Sequence, residues 1–206
     1  MPKLTTTTHA ILGLLQRRPW SAYELTKYMQ RSGIRAVWPR TESRIYVEFK
    51  NLTALGLATS QKETHQGRKR TLYKITPAGR KELRAWLKTA EGGLRLESEP
   101  LLKLLYTDLS EPSTKLQLDH LKAQLLEEAS TLHQAMSEAL DSGFYFDGNA
   151  YANARLSILM IDLLETRSKW LAEAMDNADK KGSEEAIRVY KRQEKRLARL
   201  IAELEE

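Results

Sequence analysis

The chain contains no cysteine, so neither a disulfide framework nor a thiolate metal site can hold it together. Glycine and proline are few, at 10 and 6, and aromatic residues make up only 7%. No segment approaches the roughly 18 apolar residues of a membrane-spanning helix, and Met1-Pro2-Lys3-Leu4 with its four following threonines lacks the apolar run of a signal peptide. There is no glycine-rich phosphate loop and no metal-ligand spacing, and the four histidines, His9, His65, His120 and His133, are scattered. An enzyme reading therefore has little to stand on. The expectation is a soluble cytoplasmic protein that needs no metal or cofactor and does not enter a membrane.

What is present is a chain of 206 residues, enough for one good core or two small ones, with a lopsided charge. Residues 1–90 carry 18 Lys+Arg against 5 Asp+Glu, a net +13, and the remainder carries 15 against 22, a net −7. A basic first half on an acidic second half points to a polyanion that meets only the first half. Glu91-Gly92-Gly93 is the best linker, which gives an N-terminal domain over 1–90 and a helical domain over 91–206.

The apolar spacing predicts the elements in order. Ala10, Ile11, Leu14 and Leu15 mark a first helix over 5–17, and Pro19 ends it. Ser21-Ala22-Tyr23-Glu24 fits a capping box at the start of a second helix, which runs to about Arg31 and is closed by Gly33. Pro39 precedes a third helix in which Ile45, Phe49, Leu52 and Leu55 form a buried stripe, leaving Thr41, Ser43, Arg44, Glu48 and Lys50 facing outward. After Gly56, the runs 57–60 and 71–75 read as two strands around a polar hairpin, and Thr76-Pro77 starts a fourth helix. The fold class is mainly α: an N-terminal winged helix-turn-helix with a two-stranded β-wing, followed by an all-α, coiled-coil-like domain.

That pattern carries a chemistry. A helix in the major groove needs short polar or cationic side chains on the face away from its own core, because base edges present donors and acceptors there. Thr41, Ser43, Arg44 and Lys50 supply them, with Arg44 suited to guanine and Lys50 to phosphate. Arg68, Lys69 and Arg70 follow Gly67 at the hairpin, where three positive charges repel one another unless an anion offsets them. Tyr23 and Tyr46 each offer a hydroxyl to phosphate or, alternatively, are plain core tyrosines; Ser21 and Lys27 complete the set on the second helix. Double-stranded DNA is the leading partner. The rival is a protein–protein adaptor built on the same fold, which predicts an acidic or apolar surface where this chain is basic.

In the second half, Leu118, Leu125 and Leu132 lie seven apart with Leu121 between them, and Ile158, Ile161 and Leu164 recur on a second long helix. These seven are the candidate dimerisation residues; the alternative is packing within one chain. Ser142-Gly143 to Asn149 and Lys181-Gly182-Ser183 are expected to break the helices, and Ile187, Tyr190, Leu197, Leu200, Ile201 and Leu204 give a last helix rich in charged pairs. Asp162 reads as the polar edge of its helix.

The run Ile11-Leu12-Gly13-Leu14-Leu15, then Pro19, Ser21-Ala22-Tyr23-Glu24-Leu25, Trp38-Pro39, Ile45-Tyr46, Leu52, Gly56-Leu57, Gly67-Arg68 and Tyr73-Lys74-Ile75-Thr76-Pro77-Ala78-Gly79 resembles the PadR family of transcriptional regulators across most of 8–88. Glu99-Pro100-Leu101-Leu102-Lys103-Leu104 and the long helices resemble members with a large C-terminal domain. Departures are Ala22 for the usual glycine, Phe49 for leucine and Thr53 for an acidic residue, and the helix over 183–206 extends beyond a typical member. The resemblance implies a homodimeric repressor joined through its C-terminal helices. Its winged helices would meet a pseudo-palindromic operator roughly 34 Å apart. It also implies release by a small aromatic or hydrophobic effector, for which Trp20, Trp38, Trp86, Tyr106, Tyr145 and Trp170 are aromatic candidates and Arg167 or His120 a carboxylate partner.

Overall fold

The structure, a computed structural model, describes residues 4–65, 68–90, 92–107, 111–142, 150–177 and 183–205. Gly67, Glu91, the break at 143–149 with Tyr145, and Lys181-Gly182 lie outside the described residues, as does the side chain of Arg68. By its internal contacts the chain divides into two units, one comprising 1–95 with 128–160 and the other 96–127 with 161–206.

The first unit opens with α1 (Thr6–Arg17), whose N-cap Thr5 forms a capping box with Thr8. The short strand β1 (Trp20–Ser21) leads into α2 (Ala22–Arg31), where Ser21 and Glu24 form the second capping box, as the sequence predicts. The predicted closure at Gly33 is corrected. Gly33 has φ −55, an ordinary right-handed value, and it caps an unforeseen one-turn helix, α3 (Ile34–Val37). Thr41 then caps α4 (Glu42–Ala54), accepting from the Arg44 N–H.

Helix α4 ends in a Schellman motif at Gly56 (φ +69): the Leu57 N–H bonds the Leu52 carbonyl at 2.9 Å, and the Gly56 N–H bonds the Thr53 carbonyl at 3.1 Å. The hairpin follows as β2 (Ala58–His65) and β3 (Arg68–Ile75), longer than the two runs read from the sequence. Strand β1 pairs with the base of β3, so the sheet has three antiparallel strands in the order β1-β3-β2, not the two expected. Helix α5 (Pro77–Trp86) is capped by Thr76. Its Gly79 sits so close to the loop after α4 that a Cβ there would collide with the Leu57 carbonyl.

The core of this unit gathers Ile11, Leu12 and Leu15 of α1, Leu25 and Met29 of α2, Ile45, Phe49 and Leu52 of α4, and Leu83 of α5. Each comes from an apolar position at helical spacing, so burial follows the pattern. One residue breaks it: Glu48, read as facing outward, is completely buried.

The helices beyond the linker are α6 (Glu99–Leu104), α7 (Pro112–Ser142), α8 (Ala150–Asp176) and α9 (Ser183–Glu205). In the second unit Leu118 and Leu121 of α7 bury themselves against Leu171 of α8, with Leu101, Leu104, Ala174 and Met175 around them. Leu132 is buried too, and Leu125 and Leu164 are half-buried. Ile158 and Ile161 remain exposed, at 47% and 37%. The sequence-derived dimer seam thus divides, because Leu118 and Leu121 are covered within their own chain. Asp162 lies exposed on α8, as expected. Among the described residues, no helix is long and apolar enough to cross a membrane.

Candidate nucleic-acid interface

Helix α4 presents its outer face because its inner face is fixed by Ile45, Phe49 and Leu52. At 100° per residue the exposed side centres on Ser43, Val47 and Lys50, with Arg44 and Tyr46 on its two flanks. Val47 is 47% exposed and was missed in the sequence reading, although it lies within about 60° of both Ser43 and Lys50 on the wheel. An apolar side chain at that place suits the methyl group of thymine.

Arg44 is exposed but oriented. Its Nε lies 3.4 Å from Oε1 of Glu48, one turn further on. The buried Glu48 carboxyl also accepts from the Thr5 hydroxyl at 3.1 Å, the Thr8 hydroxyl at 2.9 Å and the Asn51 side-chain amide at 3.0 Å. Burying a carboxyl without partners is costly, and here four groups offset that cost while tying the start of α1 to the middle of α4. An arginine approached by a carboxylate at its Nε keeps two terminal nitrogens for a bidentate contact such as a guanine edge offers.

Helix α2 contributes Tyr23 and Lys27. Both tyrosines leave the core: Tyr23 is 63% exposed and Tyr46 38%. The ammonium of Lys27 sits 5.7 Å from the Tyr23 ring and 3.4 Å from Glu42 at the start of α4. Ser21, in contrast, is buried in the cap, where its hydroxyl donates to Glu24 at 2.9 Å and accepts from the Glu24 N–H at 3.2 Å. That hydroxyl is committed to the helix, which corrects its place among the surface groups.

The wing is corrected in a similar way. Arg68, Lys69 and Arg70 are the first residues of β3, paired with His65, Thr64 and Glu63 across the hairpin. Alternation along a strand sends Arg70 and Lys69 to opposite faces. Arg70 meets Glu63 at 2.6 Å and Glu24 at 2.8 Å, so its charge is offset within the fold and it staples the wing to α2. Lys69 is exposed.

A second group escaped the sequence reading. An open depression of about 740 Å³ is lined by Leu4, Thr5, Thr6 and Thr7 at the start of α1, by Trp38, Pro39 and Arg40, and by Thr41 and Arg44 of α4. Arg40 stacks on the Trp38 ring at 3.9 Å, and the indole N–H of Trp38 donates to the Thr7 hydroxyl at 3.0 Å. The first turns of α1 and α4 both border it, and their unpaired N–H groups add to the two guanidinium charges, so the hollow is suited to a phosphate group. The signal was the threonine run ahead of α1 and the Arg40-Thr41 pair ahead of α4.

The aromatic effector candidates are dispersed. Trp20 lies in the core of the first unit and Trp86 stacks on His9 at 5.0 Å, whereas Tyr106 and Trp170 are exposed. Among the described residues no group of side chains has the makings of a metal site.

Burial pushes the Glu24 carboxyl up, but the Ser21 N–H and hydroxyl and the charges of Arg70 and Arg18 together outweigh it and hold the pKa below its ordinary 4.5. A carboxyl lowered on folding stabilises the fold fully above its unfolded pKa, and that contribution disappears as pH falls through the folded value. Glu24→Gln is therefore expected to lower the melting temperature at pH 7. The difference from the parent, followed by circular dichroism, should shrink as pH falls through the folded pKa of Glu24, below 4.5. A gap that persists unchanged at low pH would show that the charge is not responsible.

Glu48→Ala leaves two threonine hydroxyls, an amide and an arginine without their acceptor, and is expected to cost about 3–5 kcal/mol of folding stability. Urea denaturation measures this, and a loss under 1 kcal/mol would mean the carboxyl is not the tie described.

Comparison with known proteins matches this geometry. Residues 11–85 match the family model described as "Transcriptional regulator PadR-like family". The curated "Negative transcriptional regulator PadR" of Bacillus subtilis (strain 168) is 38% identical over 81 residues, which covers 38% of this chain and 43% of that protein. The match thus spans less than half of the relative's length. The PadR-like transcriptional regulator BC1756 from Bacillus cereus shares the fold over 86% of this chain and 98% of its own, with a TM-score of 0.71 and 15% identity. Bacillus subtilis PadR does so in complex with operator DNA, with a TM-score of 0.65, 24% identity and 85% and 100% coverage. In complex with p-coumaric acid it gives a TM-score of 0.58, 23% identity and 84% and 98% coverage. By sequence over residues 11–85, and by fold over most of its length, the chain is similar to the PadR-like transcriptional regulators.

Proposed function

We propose that this protein is a cytoplasmic, sequence-specific DNA-binding regulator in which the outer face of α4 reads bases and the wing and α1 hold phosphate. The observation that carries the reading is the exposed row of Ser43, Arg44, Val47 and Lys50 on α4, with Arg44 braced from inside by Glu48. Lys27, Tyr23, Tyr46, Thr41, Arg40 and Lys69 surround it with cations and hydroxyls suited to a duplex backbone. Arg68, the first residue of β3, joins them as a backbone contact. Arg70 and Ser21 act as supports. An adaptor would want an acidic or apolar patch on α4 and the wing, and this surface is basic.

The regulator acts as a homodimeric repressor on a pseudo-palindromic operator and is released by a small aromatic or hydrophobic effector, as the kinship with a negative regulator seen with operator DNA and with p-coumaric acid supports. Dimerisation uses the side chains that one chain leaves uncovered on its long helices, among them Leu126, Leu140, Ile158, Ile161 and Trp170. Leu118 and Leu121 serve the fold of the single chain.

The test is fluorescence anisotropy against the protein's own upstream promoter and a scrambled duplex, at two salt concentrations. Arg44→Ala is expected to narrow the preference for the promoter by roughly 10-fold, about 1–3 kcal/mol at one base pair. Lys69→Ala should weaken binding to both duplexes equally and reduce the salt slope by about one unit per chain. If neither substitution changes DNA affinity, the face is misassigned and the adaptor reading gains. Paired Ile158→Glu and Ile161→Glu should shift the protein toward monomer in sedimentation equilibrium without loss of helix content; an unchanged dimer would place the interface elsewhere.

A further inference from the structure

Helix α9 carries a charge pattern that the winged-helix reading does not use. Arg188, Lys191, Arg192, Lys195, Arg196 and Arg199 recur at spacings of three, one, three, one and three, which places all six on one side of the helix. Only Glu194 lies among them in sequence, so 188–199 is net +5, while the rest of 91–206 is net −12. The concentration is therefore local to this stripe. Arg188 meets Glu184 and Glu185, at 3.9 and 3.5 Å. Among the described residues no ion pair engages the other five, which together line one shallow depression.

We infer that the basic stripe of α9 is a second duplex-binding surface, one that grips phosphate backbone without reading sequence and acts independently of the winged helix. The first argument is charge spacing. From 188 to 199 the helix rises about 16 Å, so its six cations fall about one per 3 Å of axis, a linear charge density close to the roughly one phosphate per 3.4 Å of axis that each strand of B-DNA carries. The second is cost. Five cations side by side on one helix repel one another, and a polyanion relieves that repulsion. An anionic membrane is the other polyanion of this kind, but it needs a clean apolar face for the acyl layer. On α9 the face away from the cations holds Ile187, Tyr190, Leu197, Leu200, Ile201 and Leu204, interrupted by Glu194, which lies between Ile187 and Ile201 on the wheel, four residues after Tyr190 and three before Leu197. A carboxylate there opposes insertion. The inference rests on the regulator reading only for the choice of duplex DNA as the polyanion.

The experiment uses the full-length protein, a variant with Lys191, Arg192, Lys195, Arg196 and Arg199 changed to Gln, and a control with Lys191→Arg and Lys195→Arg. Anisotropy titrations of a 60-base-pair duplex of arbitrary sequence are run from about 50 to 200 mM salt, with helix content and sedimentation checked in parallel. The glutamine variant is expected to lose at least about 10-fold in affinity at low salt. Its plot of log affinity against log salt should be shallower by about 3–4 units per chain, at 0.9 per phosphate released. Its promoter-to-scrambled ratio should stay unchanged, and the arginine control should bind like the parent. Equal affinity and slope in parent and glutamine variant overturn the inference. So does a variant that changes only oligomeric state, or one that loses binding only to phosphatidylserine vesicles. The Arg44→Ala and Lys69→Ala proteins separate the two readings: if they bind like the parent while the α9 variant fails, the stripe stands and the winged-helix assignment falls.

Discussion

The buried carboxyl of Glu48 is the constraint on which the first unit's working face depends. It sits at zero exposure among apolar side chains and is held by Thr5 and Thr8 from α1 and by Asn51 and Arg44 from its own helix. A charge in such a place selects one arrangement of neighbours strongly, because every alternative packing leaves donors or the carboxyl unmet. The same group fixes the depth at which α4 lies on α1 and the direction in which Arg44 leaves it. Stability and the orientation of an exposed arginine are thereby coupled through one side chain.

The wing is tied down by a related device at the surface. Arg70 joins Glu63 on the neighbouring strand to Glu24, which in turn caps α2 through Ser21. A hairpin of two eight-residue strands is marginal alone. The pairing of β1 with β3 and this chain of ion pairs and hydrogen bonds connect it to the helices. Sequence places a basic cluster here, but strand alternation separates Arg70, whose charge is used internally, from Lys69, which faces the other side of the hairpin and stays exposed.

Beyond the linker, α6, α7 and α8 bury a small cluster around Leu118, Leu121 and Leu171, yet many large apolar side chains on α7 and α8 stay exposed. Helix α9 is exposed along nearly its whole length. Long helices with uncovered apolar stripes are stabilised by packing rather than by propensity, so these surfaces imply partners. The two faces of α9 differ in what they ask for: the apolar side suits another helix, and the basic side suits a polyanion.

Much of this architecture was legible in the sequence because it is written in local interactions. Capping boxes at Ser21 and Glu24, the threonine cap before Pro77, the glycine after α4 and the 3.6-residue apolar period all depend on residues within a few positions of one another, and each appears as expected. The burial of Glu48 was not legible, since its donors Thr5 and Thr8 lie 43 and 40 residues away and a helical wheel places it at the edge of the polar face. Nor were the pairing of β1 with β3, the internal use of Arg70, or the division of the leucine seam into covered and uncovered members. Local propensity and capping energies are decided by neighbours along the chain. Which polar groups find partners, and which apolar ones find cover, is decided only when distant segments meet.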